Sequence, residues 1–364
     1  METKWALLKK RRKLKGLQSK MNFGEFLKKE ALSFKDIINF EKEALFQDAN
    51  QTQHLLSLQK YLEKVVTKAR VEAGKEKLKI WENQLKKIQK DWGVPPEVII
   101  AIWGIETNFG EKLGGYRVVD SLATLAFGAR EKRRRFFFKS ELLALETIKN
   151  EKGVEVESLM GSWAGAFGHT QFMPTTYLKF SAPFERKKVP KIWDKENPLD
   201  AFSSTACYLK NVGWVEEGFI LKKANKPKNI NYLKTGINLT RESGFTAPYG
   251  HSGPHFKFGK NASAIFHYNR SELYVFSVWI FSSALENNPQ KILWPKNREQ
   301  ITSSEKLVMQ ERLTQLGYDT FGIDGKFGNN TKKALIGFQK TIGQTPDGFP
   351  DRLIFKKLLS HPSP

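Results

Sequence analysis

Glu106 stands at the end of an apolar run made of Val98, Ile99, Ile100, Ala101, Ile102, Trp103 and Ile105, which opens behind Pro95 and Pro96 and closes at Gly110. Proline fits a helix's first turn, where its missing N–H costs nothing, and glycine fits the exit. The run therefore predicts a helix with almost no polar face, buried on most sides. A carboxylate at the end of such a helix is poorly solvated, which disfavours its charged form and suits it to donate a proton as a general acid. The plainer alternative is a helix-terminal glutamate that points to water or pairs with a lysine. A second carboxylate would be needed for two-carboxylate hydrolysis. Glu111 and Asp120 are the next to follow it in sequence, and each reads more simply as a surface group or a helix cap.

Two further stretches have compositions suited to a ligand. From Gly161 to Tyr177, glycines and alanines alternate with aromatics, which predicts a loop whose backbone can approach a ligand closely. Trp163, Phe167 and Phe172 offer flat faces for sugar rings, and Ser162 and Gln171 add hydrogen-bonding groups. No strand-then-lysine pattern surrounds these glycines, so they are not a nucleotide fingerprint. Downstream, Tyr268 and Asn269 open an apolar helix that also carries Tyr274. His251 and His255 are four apart, but Gly253 and Pro254 between them argue for a loop and against a zinc pair. Cys207 is the single cysteine, which rules out an intrachain disulfide and a cysteine zinc cluster, and it reads as core filling.

The elements that must position these groups are mostly helical. The 364 residues suffice for two domains, and an apolar fraction of 40% supports a real core. Lys and Arg number 60 against 38 Asp and Glu, so a net charge of +22 points to a polyanionic partner: nucleic acid, an anionic membrane surface or an acidic wall polymer. From Phe23 to Lys90 the pattern is amphipathic and helical, with Leu55, Leu58, Leu62 and Val65 in step. A small-residue helix follows at Ser121–Phe127. The basic cluster at 132–135 precedes Phe137, Leu142 and Leu145, which read as one helix face and argue against a nucleic-acid site. Residues 216–260 are irregular and form a small insert. No apolar run reaches the ~18 residues of a membrane span, and the basic run Lys9–Lys13 lacks the apolar stretch of a secretory signal.

Glu106-Thr-Asn-Phe-Gly, the Gly161–Pro174 block and His267-Tyr-Asn-Arg-Ser-Glu-Leu-Tyr274, in that order, resemble the B-type lytic murein transglycosylases. The resemblance implies a mainly α (α+β) chain whose lysozyme-like helical catalytic domain carries the small insert. It also implies a peptidoglycan glycan strand as substrate, cleavage of the MurNAc–GlcNAc bond without water, and periplasmic action. Glu106 is then the only catalytic carboxylate, and Ser162, Gln171, Tyr268, Asn269 and Tyr274 match positions lining the family's active site. Many relatives carry an Asp-rich calcium loop where this chain has residues 183–194. Glu185 alone keeps an acidic side chain at a ligand position there, beside Lys187 and Lys191, so no metal is expected. No cofactor is expected either, nor a nucleic-acid partner, and the chain is expected to be a monomer.

The remainder divides by composition. Residues 22–286 form the expected catalytic domain. Residues 287–303 are polar, hold Pro289 and Pro295, and read as a flexible linker. Residues 304–362 repeat a helix, Asp-Gly turn, helix pattern: Asp324-Gly and Asp347-Gly punctuate helical faces marked by Thr331, Ala334, Leu335 and Phe338, then by Leu353 and Leu358. This three-helix module resembles a peptidoglycan-binding module, with Phe349-Pro-Asp departing from the usual second turn. Two other function classes compete, a lysozyme-type hydrolase and a catalytically silent wall-binding protein.

Overall fold

The computed structural model describes residues 22–30, 32–50, 57–186, 188–239, 241–296 and 298–362. The basic run at 9–13, Leu55 and Lys187 lie outside them. In chain order the helices are α1 (Phe23–Lys29), α2 (Lys42–Ala49), α3 (Leu58–Val65), α4 (Lys68–Ile80), α5 (Glu82–Trp92) and α6 (Pro96–Thr107). Next come α7 (Val118–Gly128), α8 (Lys132–Lys152), α9 (Pro174–Phe180), α10 (Leu199–Asn211), α11 (Lys260–Tyr268) and α12 (Glu272–Leu285). The last three are α13 (Ser303–Gln315), α14 (Asn329–Thr341) and α15 (Arg352–Ser360). Five short strands accompany them: β1 (Tyr116–Arg117), β2 (Met160–Gly161), β3 (Leu221–Ala224), β4 (Gly244–Thr246) and β5 (His255–Phe258). The chain divides into two compact units, one of residues 1–52 and 102–208, the other of residues 53–101 and 209–364.

In the first unit, α7 is buried along almost its whole length because Ser121, Ala123, Ala126 and Gly128 leave room for neighbours, and α8 packs along it. On α8 the inward face is Phe138, Leu142, Leu145 and Ile148, spaced by a helical period. Phe137, expected on that face, is 45% exposed; it lies one residue, or about 100°, off the stripe. Glu141 on the same face is buried, and its carboxylate accepts the backbone N–H of Thr175 at 2.9 Å and that residue's hydroxyl at 2.7 Å, which fixes the first turn of α9.

In the second unit, β3, β5 and β4 form an antiparallel sheet with β5 central. Phe256 and Phe258 of β5 point to one buried face and Lys257 to the other, the alternation a half-buried strand requires. Phe256 meets Phe276 and Trp279 of α12 edge-on, with centroids 5.0 and 5.6 Å apart. His251 and His255 each have protein partners. His255 lies in β5, 3.2 Å from the Tyr232 hydroxyl, and the backbone N–H of His251 donates to Asp347 at 2.9 Å.

The three C-terminal helices enclose Met309, Leu313, Leu335, Phe338 and Leu358. Leu353 is 60% exposed, while Ile354 and Phe355 turn inward instead, so the face of α15 is shifted by one position from the expected one. The Asp-Gly repeat has a structural cause. Buried Gln310 accepts the backbone N–H groups of Asp324 and Gly325 at 3.1 and 2.7 Å and donates to the Asp324 carboxylate at 3.1 Å. Gln339 does the same one repeat later, accepting from Gly348 at 2.8 Å and donating to Asp347 at 2.9 Å. A neutral amide holds donor and acceptor in one plane, so it can satisfy a turn's N–H and its carboxylate together.

Among the described residues of 287–303 no helix precedes α13, yet Arg298 is 8% exposed. Its guanidinium pairs with Asp351 at 2.7 Å and closely with Asp347, and lies over the Phe349 ring at 5.0 Å. Asp351, the last residue of the Phe349-Pro-Asp stretch, also caps α15 by accepting from Ile354 N at 2.8 Å.

Candidate active site

Val98, Ile99, Ile100, Ala101, Ile102 and Trp103 are all 4% exposed or less, as a helix without a polar face requires. Glu106, one turn beyond Trp103, is half-buried. After Thr107 the chain enters the left-handed region at Asn108, Phe109 and Gly110, with φ of 51°, 60° and 86°. Three such residues in succession end the helix abruptly. The Phe109 ring folds back edge-on against Trp103, with centroids 5.5 Å apart.

Thr107 fastens this end. Its hydroxyl donates to the carbonyl of His169 at 2.7 Å and accepts the N–H of Gly110 at 3.1 Å. The ring of His169, 1% exposed, accepts the indole N–H of Trp103 on Nδ1 at 3.0 Å and meets the carbonyl of Asp194 through Nε2 at 2.6 Å. Burial holds the imidazole below its ordinary pKa of 6.5, against the opposing pull of the Asp194 carbonyl and charge. Spacing along the sequence could not show this network, because Trp103 and His169 are 66 residues apart.

The loop beginning at Gly161 differs from its expected role. Phe167 and Phe172 are 0% and 2% exposed and pack against Tyr177, Trp193 and Tyr208, so they are core and not sugar platforms. Trp163 alone of the three is half-buried. The glycines allow close approach of protein atoms. A Cβ on Gly114 would lie 2.1 Å from the Gly161 carbonyl, and one on Gly161 would lie 2.2 Å from the Ala166 carbonyl. Gly165 and Gly168 similarly leave room for Leu122 and Ile192. Small residues among aromatics permit tight self-packing of a loop, and the glycines here are used for it.

Ser162 Oγ accepts the N–H of Ala166 at 3.1 Å, which closes a tight turn and leaves its own proton to donate. Gln171 sits at φ 52°, and its amide nitrogen donates to the carbonyls of Leu113 and Gly168 at 3.2 and 3.0 Å. That orientation aims the amide oxygen away from both carbonyls as an acceptor. Glu106, Ser162 and Gln171 all belong to the first unit, and Tyr268, Asn269 and Tyr274 to the second. There the rings of Tyr268 and Tyr274 stack nearly parallel, 6.1 Å apart at 7°. Tyr274 is 3% exposed, while Asn269, the residue capping α11, is exposed.

The two carboxylates that next follow Glu106 in sequence have partners of their own. Asp120 accepts from Arg117 at 3.0 Å and from the N–H of Asn39 at 2.9 Å, and Glu111 accepts from the side chain of Asn108. The loop 183–200 borders a cavity of about 460 Å³ with Glu185, Asp194 and Asp200 on its wall. Both oxygens of Asp200 accept backbone N–H groups, from Phe184 and Lys191, each at 2.8 Å. Asp194 accepts from Glu196 at 3.1 Å and Asn197 at 3.3 Å, and Glu185 pairs with Lys188. This donor set does not fit a calcium ion, which needs six or more free oxygens.

A mainly helical unit with one carboxylate at the end of a buried helix, followed by the small sheet and the three-helix module, has the architecture of a lysozyme-like glycan-cleaving protein. The chain belongs to the transglycosylase SLT domain family, which matches residues 9–283, and a peptidoglycan binding domain matches residues 303–358. It is 31% identical over 245 residues to membrane-bound lytic murein transglycosylase B of Escherichia coli (strain K12), a match covering 62% of this chain and 66% of that one, just under two thirds of the relative's length. Among solved structures it resembles SltB3 of Pseudomonas aeruginosa in complex with NAG-NAM-pentapeptide, with a TM-score of 0.79, 29% identity and coverage of 88% of this chain and 91% of that one. The same protein is known in complex with NAG-anhNAM-pentapeptide. The Escherichia coli lytic transglycosylase Slt35 in complex with calcium is similar at a TM-score of 0.59 and 26% identity, over 73% of this chain and 91% of that one.

Proposed function

We propose that this chain is a lytic murein transglycosylase that cleaves the MurNAc–GlcNAc bond of peptidoglycan and leaves 1,6-anhydromuramyl ends. The observation that carries the reading is the half-buried carboxylate of Glu106 at the end of α6, in a chain of this family, with the next carboxylates along the chain engaged by their own partners, Glu111 by Asn108 and Asp120 by Arg117 and Asn39. Glu106 first donates its proton to the glycosidic oxygen as the bond to the anomeric carbon breaks. As carboxylate it then takes the proton from the sugar's own C6 hydroxyl, whose oxygen closes on the anomeric carbon. One C–O bond breaks, one forms, the proton returns to Glu106, and no water is consumed. The nucleophile is already part of the substrate, so proximity replaces the activation a second carboxylate would give. Ser162, Gln171 and Asn269 are assigned to orient the glycan or its N-acetyl group, and Tyr268 and Tyr274 are assigned as further substrate-binding residues.

The catalytic domain is assigned to residues 22–286 and the wall-binding module to residues 304–362, joined by residues 287–303. The protein acts as a monomer in the periplasm, where its substrate lies. Mass spectrometry of products from purified peptidoglycan tests the reaction. Muropeptides lighter by one water, with anhydro ends, are expected. Reducing muramic acid ends would make the chain a lysozyme-type hydrolase, and binding without release would make it a silent wall-binding protein.

We also propose that the reaction needs no calcium, because Glu185, Asp194 and Asp200, the carboxylates that border the cavity there, already accept from a lysine and from backbone N–H groups. Chelator is expected to leave the rate unchanged, and calorimetric titration with calcium to give no saturable heat. A tight isotherm at that loop would overturn this.

A further inference from the structure

The imidazole of His169 takes no part in the reaction above, yet the end of the helix that carries Glu106 is built around it. One ring nitrogen faces a carbonyl, that of Asp194, which can only accept; Nε2 therefore carries the proton. The other faces the indole N–H of Trp103, which can only donate; Nδ1 is therefore bare. Only the neutral ring with its proton on Nε2 satisfies both neighbours. The main chain of His169 adds two more ties, donating to Ile192 O at 2.9 Å and accepting from Thr107 at 2.7 Å. Trp103 and Thr107 stand three residues before Glu106 and one after it, so both sides of the carboxylate along the helix are anchored to this one residue. The turn beyond leaves no slack. A Cβ on Gly110 would lie 2.6 Å from the imidazole Cε1.

We propose that His169 is a positioning residue for Glu106: its neutral imidazole and its main chain together pin the last turn of α6 to the segment around Ile192 and Asp194 and to the loop that bears Gln171. The proposal rests on Glu106 as the acid. Asp194 is the charged side chain that acts on the ring, and it does so through the loop whose carbonyl the ring already holds. Leucine at 169 fills much of the space but offers neither hydrogen bond, so the indole N–H of Trp103 and the carbonyl of Asp194 both lose their partner. Glutamine offers one donor and one acceptor and can restore part of the pin. A displacement of the carboxylate by an ångström suffices to cost about 10²-fold in rate.

The test compares His169→Leu, His169→Gln and Trp103→Phe in the full chain, with kcat and KM measured on soluble glycan strands and folding checked by circular dichroism. Expected is a loss of about 10²-fold in kcat for His169→Leu with KM little changed, most of it regained in His169→Gln. Trp103→Phe, which removes only the indole N–H among polar groups, should lose kcat in the same sense. The double variant Trp103→Phe/His169→Leu should be no worse than the poorer single one, because both break the same bond. A folded His169→Leu with wild-type kcat overturns the proposal. Should that variant not fold, wild-type kcat in Trp103→Phe overturns it equally. Nitrogen NMR of the ring in Glu106→Gln keeps the two readings apart. A pyrrole-type Nε2 and a pyridine-type Nδ1 are expected whether or not Glu106 is the acid, and the opposite tautomer sinks the pin. Wild-type activity in Glu106→Gln would instead remove the assignment of the acid.

Discussion

Glu106→Gln folds as the wild type, still co-sediments with purified wall, and loses at least about 10³-fold in rate of muropeptide release. Glutamine keeps the shape of the side chain and leaves Trp103, Thr107 and His169, which hold the helix end, untouched. What disappears is the proton. In the proposed cycle one group must protonate the leaving oxygen and then deprotonate the C6 hydroxyl, and each proton transfer is worth ~10²–10⁴-fold. An amide does neither at ordinary pH. The expected pattern is therefore a collapse of kcat with substrate binding retained, read by single-turnover release of anhydromuropeptides alongside a wall-binding assay. Retained activity would remove Glu106 from the mechanism and return the search to the remaining carboxylates.

The second large effect is on stability. Asp347→Ala is expected to cost about 3–5 kcal/mol, the usual penalty for breaking a buried ion pair by deleting one partner. Asp347 is 1% exposed and receives the guanidinium of Arg298, the N–H groups of His251 and Phe349, and the amide of Gln339. Removing it strands several donors at once and leaves Asp351 as the one carboxylate on Arg298, beside the His251 ring. Burial pushes the Asp347 carboxyl upward, but the N–H donors, the Arg298 charge and Gln339 outweigh it and hold the pKa below the ordinary 3.8. The sign follows. A depressed carboxylate stabilises the fold in full above the unfolded value and loses that contribution as pH falls through the folded one. The stability gap between wild type and Asp347→Ala should thus be constant near neutrality and shrink only below pH 3.8. Denaturant midpoints of the full chain across pH measure it. Asp347→Asn should fall between the two, since it keeps an acceptor oxygen but not the charge. A midpoint for Asp347→Ala equal to wild type at neutral pH would show that Arg298 and the turn are satisfied without this residue.

Much of the architecture was legible because it is periodic. The burial of α6 followed from seven apolar residues with no polar face between them, and the buried stripe of α14, Thr331, Ala334, Leu335 and Phe338, followed from helical spacing alone. Periodicity marks a stripe better than its edge. Phe137 and Leu353 were placed one position off, because adjacent apolar residues leave the phase of the helix open by about 100° and only the neighbouring elements settle which one turns inward. The positions proposed for the site were legible for a different reason: Glu106, Ser162, Gln171, Tyr268, Asn269 and Tyr274 fall in blocks of unusual composition whose order is that of a family.

What the chain order cannot express is partnership across long separations. Phe167 and Phe172 have the composition of a sugar platform and the burial of a core, because Tyr177, Trp193 and Tyr208 fold over them. Arg298 stands in a polar, proline-bearing stretch that reads as a flexible linker, yet it is held by two aspartates 49 and 53 residues further on, and a charge is stable in a buried place only when such partners arrive. A histidine after a glycine predicts nothing by itself. The amino-acid sequence determined that an acid would end a buried helix and that two Asp-Gly turns would punctuate three C-terminal helices. Tertiary structure alone decided that His169 would meet Trp103, that Arg298 would meet Asp347, and that Gly165 and Gly168 would make room for Leu122 and Ile192, since each depends on atoms brought close from far along the chain.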